Sequence, residues 1–476
     1  MRTGRQDRLA IGGLCVTFFA LYTAVSVLRF SHLDASGYDL GIFTQAVKAY
    51  AQFKPPVAEL KGEGYLLLGD HFHPILVLLA PLFRLFPSPI TLLVQQAALF
   101  ALAVYPITRA AVRQLGRWSG LAVGVAFGLS FGVQQAVLFD FHEIAFAVPL
   151  IAFSGAALLE RRWLPAALWA VPLLLVKEDQ FLIVGAIGAY IFWYGSKRIG
   201  AALSIGAGLA GLLTLFVVIP FFNTHGTYDY LTSVAPKDTG LIRLLTPAVK
   251  WELVFALLLI TAFLALRSPL TLLIVLPVAA RFWVTKSAYW RLEYQYNAVL
   301  MPILFVAFLD GLARLATDGW FRRLWDRLPA DSWLRRDGRL QQCAAGAVLV
   351  VALLVNYHEQ PIGQLVHAGS WRQHPDGPAI RSMLADVPSG STVAADNHLA
   401  PYLVMRARVF LFPDAIVAGT RPAWVIVRDD PDGWPVSPIE YSLRVALLPT
   451  MGYVLQRRAA GLALYRQVPG VVTPAG

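Results

Sequence analysis

Ser36-Gly37-Tyr38-Asp39-Leu40-Gly41-Ile42-Phe43-Thr44-Gln45 and then Leu68-Gly69-Asp70-His71-Phe72-His73-Pro74 come soon after the first long apolar run, Leu9 to Phe30. That run is long enough to span roughly 30 Å of hydrocarbon. It lacks a clear small-residue cleavage site and reads as an anchor helix. Each of the two quoted stretches sets a carboxylate among glycines, aromatic rings and amide or imidazole groups. Asp39 and the Asp70-His71 pair therefore read as parts of an active site on the outer side of a membrane. Tyr38, Gln45 and His73 are its candidate substrate-binding neighbours.

Composition agrees with a membrane setting. The chain is 57% hydrophobic and 14% charged, with a mean hydropathy of +0.58, whereas soluble domains carry roughly 25% charged residues. The net charge of +11 does not point to nucleic acid, because the basic residues fall in short clusters between apolar runs, as inner-face loop charges do. Cys15 and Cys343 both sit in apolar segments, which excludes a disulfide framework or a cysteine metal site.

Arg2, Arg5 and Arg8 place the N-terminus inside, and the chain emerges near Ser31. Tyr38 to Tyr50 has the periodicity of a helix lying in the membrane plane. Ile75 to Phe86 is apolar but too short to span, about 18 Å of helix, and reads as interfacial or re-entrant. Spans then alternate with inner loops rich in Arg and Lys, giving about eleven crossings with the C-terminus outside. The nine histidines all fall on the outer side of this arrangement. The expected organisation is a helical transmembrane domain over 1–356, with a first outer loop at 31–89, and a small extracytoplasmic α/β domain over 357–476. In that tail 391–395, 409–412 and 424–427 read as strands, and 379–385 and 441–451 as helices.

Two further clusters carry charge. Asp140-Phe141-His142-Glu143 ends a span on the outer side, where polar residues also appear without any function. Lys177-Glu178-Asp179-Gln180 closes a hairpin whose first arm, from Leu164, rises only about 20 Å. Its charges would lie about 10 Å below the outer surface, where ionisable groups must pair with one another or line a wet cavity. Ser36 or Asp39 also fits a helix cap. His142 two residues from Asp140 does not match a zinc helix motif, whose ligands sit four apart. The spacing of Asp70, His71, His142 and Glu143 gives no specific support for a divalent metal, and no cofactor is expected.

Tyr38-Asp39-Leu40-Gly41-Ile42-Phe43-x-Gln45 followed by Leu68-Gly69-Asp70-His71-Phe72-x-Pro74-Ile75-Leu76 resembles the family of predicted membrane proteins called domain of unknown function twenty seventy-nine. Phe139-x-Phe141-His142-x-x-x-Phe146, Lys177-Glu178-Asp179 and Val393-Ala394-Ala395-Asp396-Asn397-x-Leu399-Ala400-Pro401 are similar to it as well. That family is grouped by resemblance with the GT-C superfamily of integral-membrane glycosyltransferases. The resemblance implies a GT-C-like fold, a lipid-phosphate-linked sugar donor and a catalytic carboxylate in the first outer loop, where Asp39 stands. The loop has no Asp-x-Asp or Glu-x-Asp pair, so the resemblance brings no metal with it.

The expected chemistry is sugar transfer from a polyprenyl-phosphate donor to a glycan, lipid or protein acceptor of the cell envelope, outside the cytoplasmic membrane. Asp39 is the candidate base and Asp70 the second. Lys177 and His71, with His142, are candidates for the leaving phosphate, and Asp140, Glu143, Glu178 and Asp179 for the substrate pocket. Membrane lipids would surround the spans, and no nucleic acid is involved. Two other readings stay open: a transporter or lipid flippase with a charged intramembrane site, and a non-catalytic envelope assembly protein.

The orientation has a direct test. In a background without Cys15 and Cys343, cysteines placed at Tyr65, Thr227 and Ser391 should react with an impermeant thiol reagent added to intact cells. A cysteine at Ser119 should react only after lysis, and labelling of Ser119 from outside would invert the topology.

Overall fold

The computed structural model describes residues 4–230, 240–317 and 339–468. Lys237 and nearly all of the basic run 314–339 lie outside the described residues. The first helix, α1 (Arg5–Ser31), starts where the Asp7 carboxylate accepts the Gly4 N–H. Along its length two hydroxyls fix it to its neighbours: Tyr22 donates to the Gly128 carbonyl at 2.7 Å and Ser26 to the Val137 carbonyl at 3.1 Å. Between α1 and the next long helix, which starts at Pro89, lies the segment expected as the first outer loop. Its α2 (Ile42–Ala51) and α3 (Ala80–Leu85) are short helices packed on each other. The expected helix from Tyr38 begins four residues late, because the backbone at Tyr38 and Asp39 leaves helical geometry.

The long helix α4 (Pro89–Leu115) is capped by Ser88 and packs beside α1. Next come α5 (Arg117–Gly128) and α6 (Phe131–Leu138), bent by 41° at their junction, then α7 (Ala147–Leu159) and α8 (Trp163–Ala170). The hairpin of α9 (Phe181–Tyr194) and α10 (Lys197–Leu213) closes through small residues. A Cβ on Gly200 would stand 2.2 Å from the Phe192 nitrogen, and one on Gly188 would stand 2.4 Å from the Ser204 hydroxyl. Small residues of this kind let membrane helices approach at backbone contact.

Among the described residues four helices are long and apolar enough to cross a membrane: Arg5–Ser31, Pro89–Leu115, Lys197–Phe222 and Gln295–Leu315. The bent α5–α6 pair makes a fifth. The other apolar segments expected to span are shorter pieces such as Trp163–Leu175 and Pro269–Trp283, interrupted at prolines whose missing N–H and ring break the ladder. Exposed Leu209, Leu212, Leu213 and Phe216 give the Lys197–Phe222 span a lipid-facing side. The architecture is that of a multi-pass helical membrane protein.

The C-terminal unit is a five-stranded sheet with spatial order β2-β1-β3-β5-β4. Its strands are β1 (Thr392–Ala395), β2 (Arg408–Leu411), β3 (Trp424–Arg428), β4 (Tyr453–Ala459) and β5 (Leu462–Gln467). The first three pair in parallel and the last two join antiparallel. β4 and β5 were not expected from sequence, since the edge strand β4 carries Gln456, Arg457 and Arg458 and reads as a polar segment. The helices are Gly377–Asp386 and Pro438–Ala446, the second ending five residues before the expected Met451. Side chains alternate across the sheet. Val393, Ala395, Val409 and Leu411 join the core that runs into the membrane helices, while Ala394, Phe410, Val425 and Tyr465 form a second core on the far face.

Gly200→Leu tests the hairpin. Overpacking typically costs about 1–3 kcal/mol, and here the obstacle is backbone, so purified variant protein should melt well below wild type. An unchanged melting temperature would mean that α9 and α10 do not meet at this glycine.

Candidate functional site

The first outer loop, the ends of α6 and α8, the segment 286–296 and the Asn397 turn enclose a polar cavity of about 470 Å³. Tyr38, Asp39, Asp70, His71, His73, His142, Glu143 and Lys177 all line it. A second, mainly apolar cavity of about 260 Å³ shares His71, Lys177, Tyr230, Tyr289, Gln295 and Tyr296 with the first. It continues past Glu178, Asp179 and Arg281 to Leu182, Leu215, Pro277 and Val284. A polar chamber thus opens onto a greasy one, with cations at the boundary.

The charges on this boundary are paired. Lys177 Nζ lies 2.8 Å from Glu143 Oε1. His71 Nδ1 lies 2.6 Å from Glu178 Oε1, and Glu178 also accepts from Tyr228 O–H at 2.7 Å and from the Phe72 N–H at 3.1 Å. Asp179 accepts from the Gln180 amide. Lys177, Glu178 and Asp179 thus line the cavity and take their partners from outside the trio, not from one another. Buried Arg281 Nη1 has no hydrogen-bond partner among the described residues.

Asp39 reaches the chamber differently. Neither it nor Ser36 caps a helix: the Ser36 hydroxyl donates to the Tyr38 carbonyl. Asp39 Oδ1 lies 3.2 Å from His142 Nε2, and the His142 ring stacks on Phe139 at 5.3 Å. Across the chamber Lys61 Nζ sits 3.1 Å from Asp70 and 5.0 Å from the centre of the Tyr38 ring. Burial of Lys61 opposes its charge, but Asp70 together with Tyr38, Tyr230 and Tyr65 outweighs it and holds the ammonium in its charged form. Burial pushes the His73 pKa down to about 4, so this imidazole is neutral. Asp140 at φ 59° and Tyr294 at φ 69°, ψ −178° hold backbone conformations that cost non-glycine residues energy.

Glu178 and Asp179 line only the apolar cavity, and two sequence candidates fall outside both cavities. Asp140 is buried below the loop, where its carboxylate accepts the Ser36 N–H at 2.9 Å and faces Arg29 at 3.5 Å. Gln45 ties the loop to the sheet, donating to the Val409 carbonyl and accepting the Leu60 N–H. Conversely Lys61, Lys286, Asn397 and Trp434 line the chamber without having been candidates. Lys61 carried no signal, since one lysine in a polar loop looks like any other.

Residues 29–464 match the family described as "Predicted membrane protein (DUF2079)". The chain belongs to that family. No curated protein matches it. Among solved structures it is similar to ArnT from Cupriavidus metallidurans bound to undecaprenyl phosphate, with 14% sequence identity and a TM-score of 0.55. The apo state of the same protein gives a TM-score of 0.56 at the same identity, and each match covers 96% of this chain and 99% of that one. The DUF2079 chain therefore has the GT-C-like fold that its sequence motifs implied. No group of three or more His, Cys, Asp or Glu side chains among the described residues could hold a metal ion, and Asp70 and Glu143 are already committed to lysines.

The Asp39–His142 contact has a pH signature. Burial disfavours the charged ring, but Asp39, with a smaller contribution from Glu143, holds the His142 pKa above the ordinary imidazole value. A raised folded pKa gives stability that is full below the unfolded value and is lost as pH rises through the folded one. Wild-type melting temperature should therefore fall as pH rises from about 6, and Asp39→Asn should flatten the slope. Parallel slopes would show that the contact contributes nothing.

Proposed function

We propose that this DUF2079 protein is a glycosyltransferase that moves a sugar from a polyprenyl-phosphate-linked donor to an acceptor on the outer side of the cytoplasmic membrane. The observation that carries the reading is the pair of joined cavities, polar beside Asp39 and apolar beyond Lys177. A sugar with its phosphate suits the first, and a prenyl chain suits the second. ArnT, whose fold this chain shares, is described bound to undecaprenyl phosphate, which agrees with a ligand of that shape.

In the proposed reaction an acceptor hydroxyl attacks the anomeric carbon, forming a C–O bond while the bond from that carbon to the phosphate oxygen breaks. The oxygen leaves with the electron pair as polyprenyl phosphate. Asp39, which is partly open to the chamber, takes the hydroxyl proton, raising its nucleophilicity as the bond forms. Asp70 is the less suited carboxylate because its partner Lys61 is an ammonium that stays charged near neutral pH, whereas the His142 imidazole beside Asp39 can lose its charge in that range. Charge developing on the leaving phosphate is met by Lys177 and Arg281, fixed cations in a dry setting where they act strongly. His71 holds Glu178 and so shapes the boundary between the chambers. His142 keeps the Asp39 carboxylate oriented. The cavity also favours transfer over hydrolysis, because walls from the loop and the 286–296 segment screen the sugar from bulk water.

Purified protein in lipid should transfer radiolabelled sugar from a membrane lipid extract to an extractable or precipitable product. Asp39→Asn should retain the fold and lose about 10²–10⁴-fold in rate, the usual contribution of a general base. A well-folded Asp39→Asn protein with wild-type turnover would remove Asp39 from the role, and movement of lipid without sugar transfer would favour a flippase instead.

A further inference from the structure

We infer that Asn397 is a positioning residue for Asp39, so that the C-terminal sheet and not only the membrane domain sets the geometry of the proposed base. The inference rests on the glycosyltransferase reading above. Asp39 is the last residue of a three-residue approach, Gly37-Tyr38-Asp39, whose two preceding N–H groups both point at one residue. Gly37 N–H donates to the Asn397 carbonyl at 2.7 Å, and Tyr38 N–H donates to Asn397 Oδ1 at 2.9 Å. One side chain and its own backbone therefore fix two consecutive peptide planes next to the carboxylate.

The clamp is itself anchored. Asn397 follows Asp396, which leaves the end of β1 with its N–H bonded to the Ile426 carbonyl of β3. The buried Asp396 carboxylate accepts the His398 N–H at 2.9 Å, folding the turn, and accepts Tyr441 O–H at 2.9 Å from the helix beyond. Gly37 is held so close that a Cβ there would stand 2.7 Å from the Ala400 Cβ. From below, the Asp140 carboxylate takes the Ser36 N–H. The loop thus passes between a support in the membrane domain and one in the sheet. These contacts explain two sequence features that the chemistry left unused: the Asp396-Asn397 pair far along the chain, and Gly37 just before Tyr38 and Asp39.

The reason such a device matters is geometric. A misplacement of about 1 Å in a reacting group can cost on the order of 10²-fold in rate, and a loop carrying a base has few other constraints. Asn397 does not itself need to touch the reacting atoms.

Two measurements on the full-length protein in lipid test this. In hydrogen–deuterium exchange, Asn397→Leu removes the Oδ1 acceptor of the Tyr38 N–H while keeping the main-chain carbonyl that Gly37 uses. It should speed exchange of the peptide containing Tyr38 at least about tenfold, as opening of that bond requires, while β1 and β3 peptides keep wild-type protection. Asn397→Asp, which keeps the oxygen acceptor, should restore slow exchange. In sugar transfer from the lipid extract, Asn397→Leu should lower kcat about 10- to 100-fold with donor KM unchanged, and Asn397→Asp should recover most of it. Wild-type protection of the loop in Asn397→Leu would overturn the clamp. So would loosening of the whole sheet, which marks a general folding role, or a freed loop with normal kcat. A wild-type protein that transfers no sugar defeats the functional reading and, with it, any catalytic meaning of the clamp, while the exchange arm still reports whether the clamp exists.

Discussion

A charge removed from water must find a partner, and the centre of this protein is built on that requirement. Lys177 and Glu143 come from different helix ends, 34 residues apart in sequence, and meet at 2.8 Å. Glu178 collects His71, Tyr228 and the Phe72 N–H. Breaking one member of such a pair is costly because it strands the other. The pairs therefore bind the first outer loop to the ends of α6 and α8 and the loop beyond α10, and they create the cavity floor as a consequence. In the proposed reaction, function and stability draw on the same residues.

Above that floor the first outer loop is fixed from several directions. Its α2 helix is tied to the sheet side by Gln45 and by Lys48, whose ammonium donates to the Val404 and Met405 carbonyls. The loop beyond it is tied by Arg408 to Glu59 and Glu63. One face of the sheet belongs to the same apolar core as the membrane helices. The tail is thus less an appendage than the lid and side wall of the chamber, and Trp434, packed 4.6 Å from Tyr38, completes that wall.

The arrangement also accounts for the many broken helices. A span that only anchors needs an unbroken apolar run, as in α1 and α4. A segment that must end at a cavity can stop short, because its freed backbone groups face protein or a polar chamber and not lipid. Trp163–Leu175 is such a segment, and its shortness is what sets Lys177, Glu178 and Asp179 at the boundary between the polar and apolar chambers.

The sequence by itself determined the membrane class and many of the residues that line the chamber, with the segment 31–89 as their main source. Asp39, Asp70, His71, His142, Glu143 and Lys177 were legible because polar groups beside apolar runs carry a cost that demands a reason. The β1, β2 and β3 strands were legible because apolar β-branched runs between turns have few other uses. Only the tertiary structure decided which charges pair, that Asp140 and Gln45 support the loop from outside the chamber, and that Lys61, Lys286, Asn397 and Trp434 line it. The physical reason is range. Hydropathy and local periodicity are properties of neighbouring residues, but an ion pair or a hydrogen bond depends on where two distant segments are brought together. Asn397 meets Tyr38 across a sequence separation of 359, and no local pattern encodes that.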